Sequence, residues 1–402
     1  MSAFEPVDTV EAPFEPGPVE LPVANHAAPE PVPESAPESS DASLTMHEAK
    51  HELDDLLRRL VEAGGSDLHV TAGAPPAIRK DGDLVHMPGQ PNLTPADTEV
   101  MLRTILTDKQ WEQFATTNEL DIAYTLAGIS RFRVNVFRQR GAVAAVLRTI
   151  PYNIRSLGEL GLPSSVEAFA HLPRGLVLVT GPTGSGKSTT LASLLDVANQ
   201  ARAAHIVTIE DPIEYLHSHR RSIVNQREVG NDTESFTTAL KHVLRQDPDI
   251  ILVGELRDLE TTSVAVTAAE TGHLVLATLH TQSAAQTIDR LIDIYPPHQQ
   301  QQIRAQLSNC LQGVVTQALA PRADGTGRAI ICEIMMASSA IRNLIREGKV
   351  HQIPSFLQSS SEQGMISFDQ HLAQRYAEHI ISQQTAMELA HDPAEFKRLA
   401  RI

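Results

Sequence analysis

The sequence is poor in the residues that cross-link small folds or anchor proteins in membranes. It has two cysteines in 402 residues, Cys310 and Cys332. Their spacing fits neither a zinc site nor a disulfide framework, so both are expected to be buried thiols of a reducing compartment. No apolar run approaches the roughly 20 residues that span a bilayer, and the acidic N-terminus does not resemble a signal peptide. These absences predict a cytoplasmic protein.

Residues 1 to 46 lack lysine and arginine altogether. They contain nine acidic residues and nine of the 25 prolines of the chain. Such a composition cannot bury enough apolar surface to offset the loss of chain entropy, so we expect a disordered acidic tail rich in Pro, Glu and Ala. It is either a docking segment or a passive leader, and composition favours the leader. The net charge of -16 also argues against general nucleic-acid binding, which needs clustered basic residues.

A length of 402 residues predicts about two domains. Order is expected to begin near Met46, where leucines recur at helical spacing up to the glycine pair 64–65. Strand patterns follow at 67–70, 121–124, 131–136 and 143–150, with a hairpin turn at 80–83. The segment 47–152 is thus predicted to be a small α+β domain, and 153–164 a linker rich in turn residues.

From residue 165 onward the pattern changes to α/β. Continuous apolar runs, typical of strands buried on both faces, occur at 175–180, 206–209, 250–253 and 273–278. Because helical patterns alternate with these runs, we expect a largely parallel sheet. After about residue 300 the pattern is mainly helical, so an α/β domain with a helical C-terminal part is predicted for 165–402.

The segment 181–188, with the sequence GPTGSGKS, fits the Walker A pattern between a buried strand and a helix. Its glycines allow backbone N–H groups to surround a phosphate, and the helix N-terminus faces the anion. Lys187 is predicted to reach the β- and γ-phosphates of ATP, and the Ser188 hydroxyl to ligate Mg²⁺. The residues predicted to bind the nucleotide are Gly181, Pro182, Thr183, Gly184, Ser185, Gly186, Lys187, Ser188 and Thr189.

ATP hydrolysis also needs carboxylates at the ends of neighbouring strands, to hold Mg²⁺ through water and to orient the attacking water. Glu255 follows the apolar run at 250–253, which is the expected Walker B position, and it is the second predicted Mg²⁺ residue. Glu210, Asp211 and Glu214 follow the run at 206–209. A single glutamate after a strand is often a solvated loop residue, but two such clusters favour a catalytic role.

Two histidines flank the predicted strand at 273–278. His280 lies at its carboxyl end, where ligands bind in parallel sheets, and could hydrogen-bond the γ-phosphate. His273 lies at the opposite end and is closer to a packing residue.

Together these motifs resemble the secretion-type traffic ATPases, and most closely the PilT-type retraction ATPases of the type IV pilus. The resemblance runs from about residue 50 to about 385. The matching segments are the Walker A loop 181–190, the Asp box 208–214, the Walker B stretch 247–255, the His box 271–281 and the C-terminal motif 340–347. The last of these resembles the motif of the retraction subgroup and is absent from assembly enzymes.

The resemblance implies a homohexameric ring of subunits with a PAS-like N-terminal domain and a RecA-like ATPase domain. It implies that Glu255 takes the Walker B role, that Glu214 positions or activates water, and that N-terminal arginines reach the γ-phosphate. Arg133 and Arg140 are the preferred pair in a basic stretch that also holds Arg131 and Arg148. The implied function is to power pilus disassembly, retraction and twitching motility, at the cytoplasmic face of the inner membrane on a platform protein.

The C-terminal motif has an amphipathic helical pattern. Ile341, Leu344 and Ile345 form its apolar face, while Arg342, Arg346 and Glu347 are expected outside. Family resemblance links it to retraction, and a plain core helix has the same periodicity. The sequence departs from the family pattern in the acidic tail and at Cys332, where relatives often have histidine.

Several alternatives remain open at this point. A pilus assembly or type II secretion ATPase usually carries a four-cysteine zinc insertion, which two cysteines cannot supply. An accessory retraction paralogue is harder to exclude. A nucleotide-binding switch is weakened by the filled carboxylate positions, and a nucleic-acid translocase by the acidic charge.

Overall fold

The computed structural model describes residues 45–80, 82–150, 153–360 and 364–402. Leu44–Ile402 forms one compact unit that contains two sheets. Nearly all of the predicted acidic tail lies outside the described residues, as does part of the predicted hairpin turn at 80–83. The six-stranded sheet ends before the predicted linker 153–164 and the seven-stranded sheet begins after it, while the exact domain boundaries stay predictions.

The first helix forms where the leucine spacing predicts it. Thr45 accepts a hydrogen bond from the Glu48 backbone, and the Glu48 carboxylate accepts one from the Thr45 backbone at 3.0 Å, so this capping box satisfies two N–H groups at the helix start. Leu53, Leu56 and Leu57 are fully buried on one face. This face covers the first sheet and closes the N-terminal core.

The N-terminal sheet is entirely antiparallel, in the order β3-β2-β1-β6-β5-β4. Its strands are β1 (Asp67–Val70), β2 (Ala77–Lys80), β3 (Asp83–His86), β4 (Glu119–Leu126), β5 (Ser130–Gln139) and β6 (Ala142–Ile150). The helices are α1 (Met46–Glu62), α2 (Pro95–Arg103) and α3 (Asp108–Thr117). The last two helices are not among the predicted elements, but the α+β character of this segment is confirmed.

The second sheet has seven strands in the order β13-β12-β7-β11-β10-β8-β9. They are β7 (Gly175–Thr180), β8 (His205–Glu210), β9 (Ile223–Glu228), β10 (Ile250–Val253), β11 (Leu274–Leu279), β12 (Leu311–Pro321) and β13 (Arg328–Met336). All neighbouring strands are parallel except β12 and β13. The predicted parallel α/β sheet is therefore confirmed.

Helices cover both faces of this sheet. They are α4 (Lys187–Ala201), α5 (Phe236–Val243), α6 (Leu259–Glu270), α7 (Ala284–Asp293), α8 (Pro297–Cys310), α9 (Ser339–Arg346), α10 (Ile353–Ser359), α11 (Phe368–Ala377), α12 (Gln383–Leu389) and α13 (Pro393–Ala400). Along β7, Leu176 and Leu178 pack into one core while Val177 and Val179 pack into the other. A strand buried on both faces explains why the sequence there is continuously apolar.

The expectation of a mainly helical chain after residue 300 is wrong for β12 and β13. These strands form a long antiparallel pair at one edge of the sheet, and β12 also pairs in parallel with the interior strand β7. Short apolar runs do not distinguish a strand from a buried helix segment, and Gln312 and Gln317 interrupt the run in β12. Pairing with β7, which is a tertiary contact, decides the outcome.

The C-terminal motif forms α9, with Ile341 and Ile345 fully buried as predicted. Arg342 does not extend into solvent as expected. Its guanidinium donates to the Ser308 and Asn309 carbonyl oxygens, at 3.0 and 2.8 Å, at the C-terminus of α8. A cation at this helix end satisfies carbonyl groups that have no partner within the helix.

Both cysteines are free and buried, as predicted. Within the described ranges no helix is long and apolar enough to cross a membrane.

A substitution at Gly313 in β12 tests how tightly the sheet packs against the helical segment that precedes β7. A Cβ atom at this position would lie 2.2 Å from Phe169 Cζ and 2.8 Å from the Met335 carbonyl oxygen. Gly313→Ala should therefore lower the free energy of unfolding by about 2 kcal/mol through overpacking. Urea unfolding of the nucleotide-free protein measures this. Gly158→Ala, where a Cβ would meet nothing within 4 Å, is the matched control, and equal midpoints for the two variants would contradict the packing argument.

Candidate nucleotide-binding site

The predicted Walker A loop connects the interior strand β7 to helix α4. Gly181, Gly184 and Gly186 have φ angles of +137°, +78° and +86°, a region in which residues with a side chain are strained. Gly186 caps α4, and no side chain accepts a hydrogen bond from the first turn of the helix. The N–H groups of that turn are thus available to a phosphate, and the helix dipole favours the anion.

Strand β12 supports the loop from behind. Gln317 donates through Nε2 to the Ser185 carbonyl oxygen at 2.7 Å, and the Thr180 and Thr316 hydroxyls lie 2.9 Å apart. A Cβ atom on Gly181 would lie 2.1 Å from the Gln317 carbonyl oxygen, so only glycine fits. Sequence reasoning missed Gln317. Its one signal is a polar residue inside an apolar stretch.

Lys187 turns back onto its own loop. Its ammonium donates to the carbonyl oxygens of Gly181 at 2.8 Å and Pro182 at 3.1 Å, and lies 3.5 Å from His280 Nδ1. Burial lowers the pKa of Lys187, while the carboxylates of Glu255 and Glu214 oppose that lowering. The lysine is therefore positioned between the phosphate loop and the predicted catalytic acids.

Glu255 lies two residues beyond the end of β10, at the carboxyl edge of the sheet, as predicted. One carboxylate oxygen is 3.1 Å from His280 Nε2, and the other is 2.7 Å from the Arg257 guanidinium. His280 thus bridges Glu255 and Lys187 through its two ring nitrogens. The His273 ring hydrogen-bonds the Ala268 carbonyl oxygen, at 3.0 Å, on the opposite edge of the sheet.

The Asp-box acids have different environments. Glu210 accepts from the Thr208 hydroxyl at 2.6 Å and from Gln226 Nε2 at 3.2 Å, and burial raises its pKa from 4.5 to about 7. Glu214 is exposed and lines the cavity above the phosphate loop. The Thr189 and Tyr215 hydroxyls, 2.8 Å apart, connect α4 to the Asp-box segment.

A cavity of about 420 Å³ lies above the phosphate loop. The predicted residues that line it are Thr183, Gly184, Gly186, Lys187, Ser188, Thr189, Glu214, Glu255 and His280. Two arginines that sequence reasoning missed, Arg257 and Arg328, also line it. Arg328 also lines a second cavity of about 640 Å³. Gly186 and Thr189 line both cavities, and three further arginines line the second.

The other predicted residues lie elsewhere. Gly181, Pro182 and Ser185 shape the loop but are not among the residues that line the cavity. Among the described residues, neither Arg133 nor Arg140 lines it. Arg133 on β5 is 3.9 Å from Asp121 of its own sheet, and Arg140 occupies the β5–β6 turn with a φ of +50°. Their predicted contact with the γ-phosphate stays a prediction.

The family described as type II/IV secretion system protein matches residues 50–378. The chain belongs to this family. The matched region begins after the predicted tail and includes every predicted site residue.

Two relatives and one solved structure show how far the similarity extends. The type IV pilus retraction ATPase PilT of Pseudomonas aeruginosa is 48% identical over 345 residues, which cover 86% of this chain and 100% of PilT. The type IV pilus ATPase PilU of the same organism is 42% identical over 351 residues, covering 87% of this chain and 92% of PilU. A crystal structure of the pilus retraction motor PilT with bound ADP matches with a TM-score of 0.80 and 48% identity, covering 86% and 98% of the two chains. The predicted fold, an N-terminal α+β domain followed by a RecA-like ATPase domain, is confirmed.

Gly181 leads to a test of the phosphate loop. Gly181→Ala should weaken ATP binding more than tenfold, because the new Cβ would collide with the Gln317 carbonyl oxygen and displace the loop. Gly184→Ala also changes a glycine of positive φ, but a Cβ there meets nothing within 4 Å. Its effect should be smaller. Titration with a fluorescent ATP analogue measures both affinities, and the reverse ranking would contradict the proposed role of β12.

Glu210 leads to a prediction about pH. Because its pKa is raised from 4.5 to about 7 in the folded protein, its contribution to stability is complete below pH 4.5 and is lost as pH rises through 7. Because glutamine does not ionise, the Glu210→Gln variant does not lose this stability as pH rises. The unfolding free energy of wild type relative to the variant should fall by up to about 3 kcal/mol between pH 5 and 8.

Denaturant unfolding of the nucleotide-free proteins at several pH values measures this difference. Glu333, whose pKa burial also raises to about 7, is present in both proteins, so it does not contribute to the difference. Parallel pH profiles would show that Glu210 is not protonated at neutral pH in the folded state.

Proposed function

We propose that this chain is the ATP-hydrolysing motor that powers disassembly and retraction of type IV pili, and with it twitching motility. The observation that carries the proposal is the Lys187–His280–Glu255 network above the phosphate loop. Membership of the secretion ATPase family supports ATP hydrolysis, and the 48% identity to PilT over its whole length supports retraction. The chain is an ATPase, and the geometry supports the following proposed roles for its residues.

The phosphate loop binds the triphosphate of ATP. Backbone N–H groups of the loop and of the first turn of α4 hold the phosphate oxygens. Lys187 exchanges its two loop carbonyl partners for the β- and γ-phosphates, which replaces neutral acceptors by charged ones. The second cavity, next to Gly186 and Thr189 and lined by Arg328, is large enough for the ribose and base.

The donor set beside the γ-phosphate fits Mg²⁺. Ser188 supplies a hydroxyl oxygen and Glu255 a carboxylate, both hard ligands on the cavity wall. One Glu255 oxygen already contacts His280 and the other contacts Arg257. Glu255 is therefore expected to hold the ion through water. The bound ion would neutralise charge on the phosphates.

Glu214 is the proposed residue that orients or activates the attacking water. It is exposed at the cavity, whereas Glu210 is engaged by Thr208 and Gln226. His280 donates from one ring nitrogen to Glu255 and faces Lys187 with the other. This position allows it to report whether a γ-phosphate is present.

A homohexameric ring would place the N-terminal arginines of one subunit beside the site of the next. Arg133 and Arg140 are exposed on β5 and its following turn, so a neighbouring subunit can reach them. A motor of this kind is proposed to work at the cytoplasmic face of the inner membrane, on a platform protein of the pilus. No nucleic-acid partner is proposed.

The experiment that tests the function pairs ATPase assays on purified Glu255→Ala with pilus retraction in cells that carry only this variant. Removing the carboxylate should lower turnover by about 100-fold or more. Retraction should be lost while filaments remain or accumulate. Glu260→Ala, which removes an exposed glutamate paired with Lys241 on the surface, is the matched control and should leave both activities unchanged.

Other outcomes would redirect the proposal. Loss of the filaments themselves would indicate a pilus assembly or secretion ATPase. Turnover of the unmodified chain equal to that of Lys187→Ala, despite tight ATP binding, would indicate a nucleotide-binding switch. Stimulation of turnover by DNA would revive a translocase.

An accessory retraction ATPase is the second candidate. The 42% identity to PilU over 92% of its length favours it almost as much as the PilT match favours a primary motor. Cells that lack every other retraction ATPase separate the two. Retraction that persists with this chain alone supports a primary motor, and retraction that needs a second ATPase supports the accessory role.

A further inference from the structure

The N-terminal domain approaches the catalytic Asp box through one arginine. Arg131 lies on β5, and its guanidinium is 3.5 Å from the Glu228 carboxylate at the end of β9. The glutamate side chain is 6% exposed and the arginine side chain 20% exposed. The pair therefore lies largely out of water, where the attraction between opposite charges is stronger than at a surface.

Glu228 also hydrogen-bonds the backbone of the residue that precedes Glu214. The carboxylate oxygen nearest Arg131 accepts the Ile213 backbone N–H at 3.1 Å, and the other oxygen accepts from Asn231 Nδ2. Ile213 is buried and is followed directly by Glu214. A hydrogen bond to this amide fixes the position from which the Glu214 side chain enters the cavity.

Few other contacts join the two domains. Among the described elements, no helix or strand of the N-terminal sheet packs extensively on the ATPase domain. A cleft of about 680 Å³ separates Arg133 and Asp121 on one side from Asp211 and Gly230 on the other. Arg131 bridges this gap beside the cleft.

The ion pair is suited to being broken. At 3.5 Å it is long for a charged hydrogen bond, and the buried Arg131 Nε has no hydrogen-bond partner among the described residues. Separating the domains would let water reach the guanidinium N–H group that has no partner. Glu228 would keep Asn231 and the Ile213 amide but would lose the Arg131 guanidinium, with which it forms an ion pair.

We propose that Arg131 is a positioning residue, which acts through Glu228 and the Ile213 backbone to hold Glu214 in place only while the N-terminal domain is docked. This inference rests on the proposed role of Glu214. It differs from a direct contact between an N-terminal arginine and the γ-phosphate, because Arg131 here contacts a carboxylate of its own chain. Domain movement would thereby switch hydrolysis at the site.

The test compares Arg131→Gln with Arg131→Lys, Glu228→Gln and a control in the full chain. Arg131→Gln should lower kcat about fivefold with unchanged KM and unchanged affinity for a fluorescent ATP analogue, because nucleotide binding does not involve the pair. Arg131→Lys retains a cation and should restore at least half of the turnover. Arg79→Gln is the control, since Arg79 donates to the Gly82 carbonyl oxygen within its own hairpin.

Amide hydrogen exchange provides a readout that does not depend on turnover. Arg131→Gln and Glu228→Gln should each speed exchange in a peptide covering 211–216 severalfold and leave the phosphate-loop peptide unchanged. The Arg131→Gln/Glu228→Gln double variant should lose little more turnover than the single variants, since both changes break the same contact.

Three results would overturn the inference. Weakened nucleotide affinity or a raised KM in Arg131→Gln would mean that Arg131 contacts the nucleotide directly. Unchanged kcat and unchanged exchange would mean that the pair has no positioning role. Full turnover in Glu214→Gln would remove the proposed role of Glu214, and the inference would fail with it. If Glu214 is the residue that Arg131 positions, adding Arg131→Gln to the Glu214→Gln variant should lower turnover no further.

Discussion

The architecture depends on binding an anion with uncharged backbone groups. A loop between a buried strand and a helix can present several N–H groups to a phosphate only if its residues tolerate positive φ and close backbone approach. The requirement for close backbone approach is strictest at Gly181, because β12 lies directly behind it. This fit requires β12 to lie beside β7, and the two strands are indeed paired in parallel.

The same edge of the sheet brings the acids and the lysine together. Parallel strands end at a common edge, so Glu210, Glu214, Glu255 and His280 converge although they are separated by up to 70 positions in the chain. Their environments then divide their roles. The buried Glu210 holds its proton to about neutral pH, while Glu214 faces the cavity and Glu255 is held between His280 and Arg257.

The two domains meet sparsely, and this sparse contact gives the motor a way to couple movement to chemistry. A large apolar interface would fix the domains, whereas a long ion pair beside a cleft leaves room for them to move apart. Inside the ATPase domain Arg342 makes a different kind of contact, since it joins helix α9 to the carbonyl groups at the end of α8, on which α9 already packs.

The sequence by itself determined the fold class, the phosphate loop and the carboxylate clusters, because these depend on local patterns. A glycine-rich loop between an apolar strand and a helix, and acids after such strands, are recognisable without knowledge of neighbours. Only the tertiary structure decided that the chain after Cys310 re-enters the sheet as β12, and that Gln317 supports the loop. It also decided that Arg328 reaches the cavity while Arg131 reaches Glu228. These outcomes depend on contacts between distant segments, which have no signature in residue order or spacing.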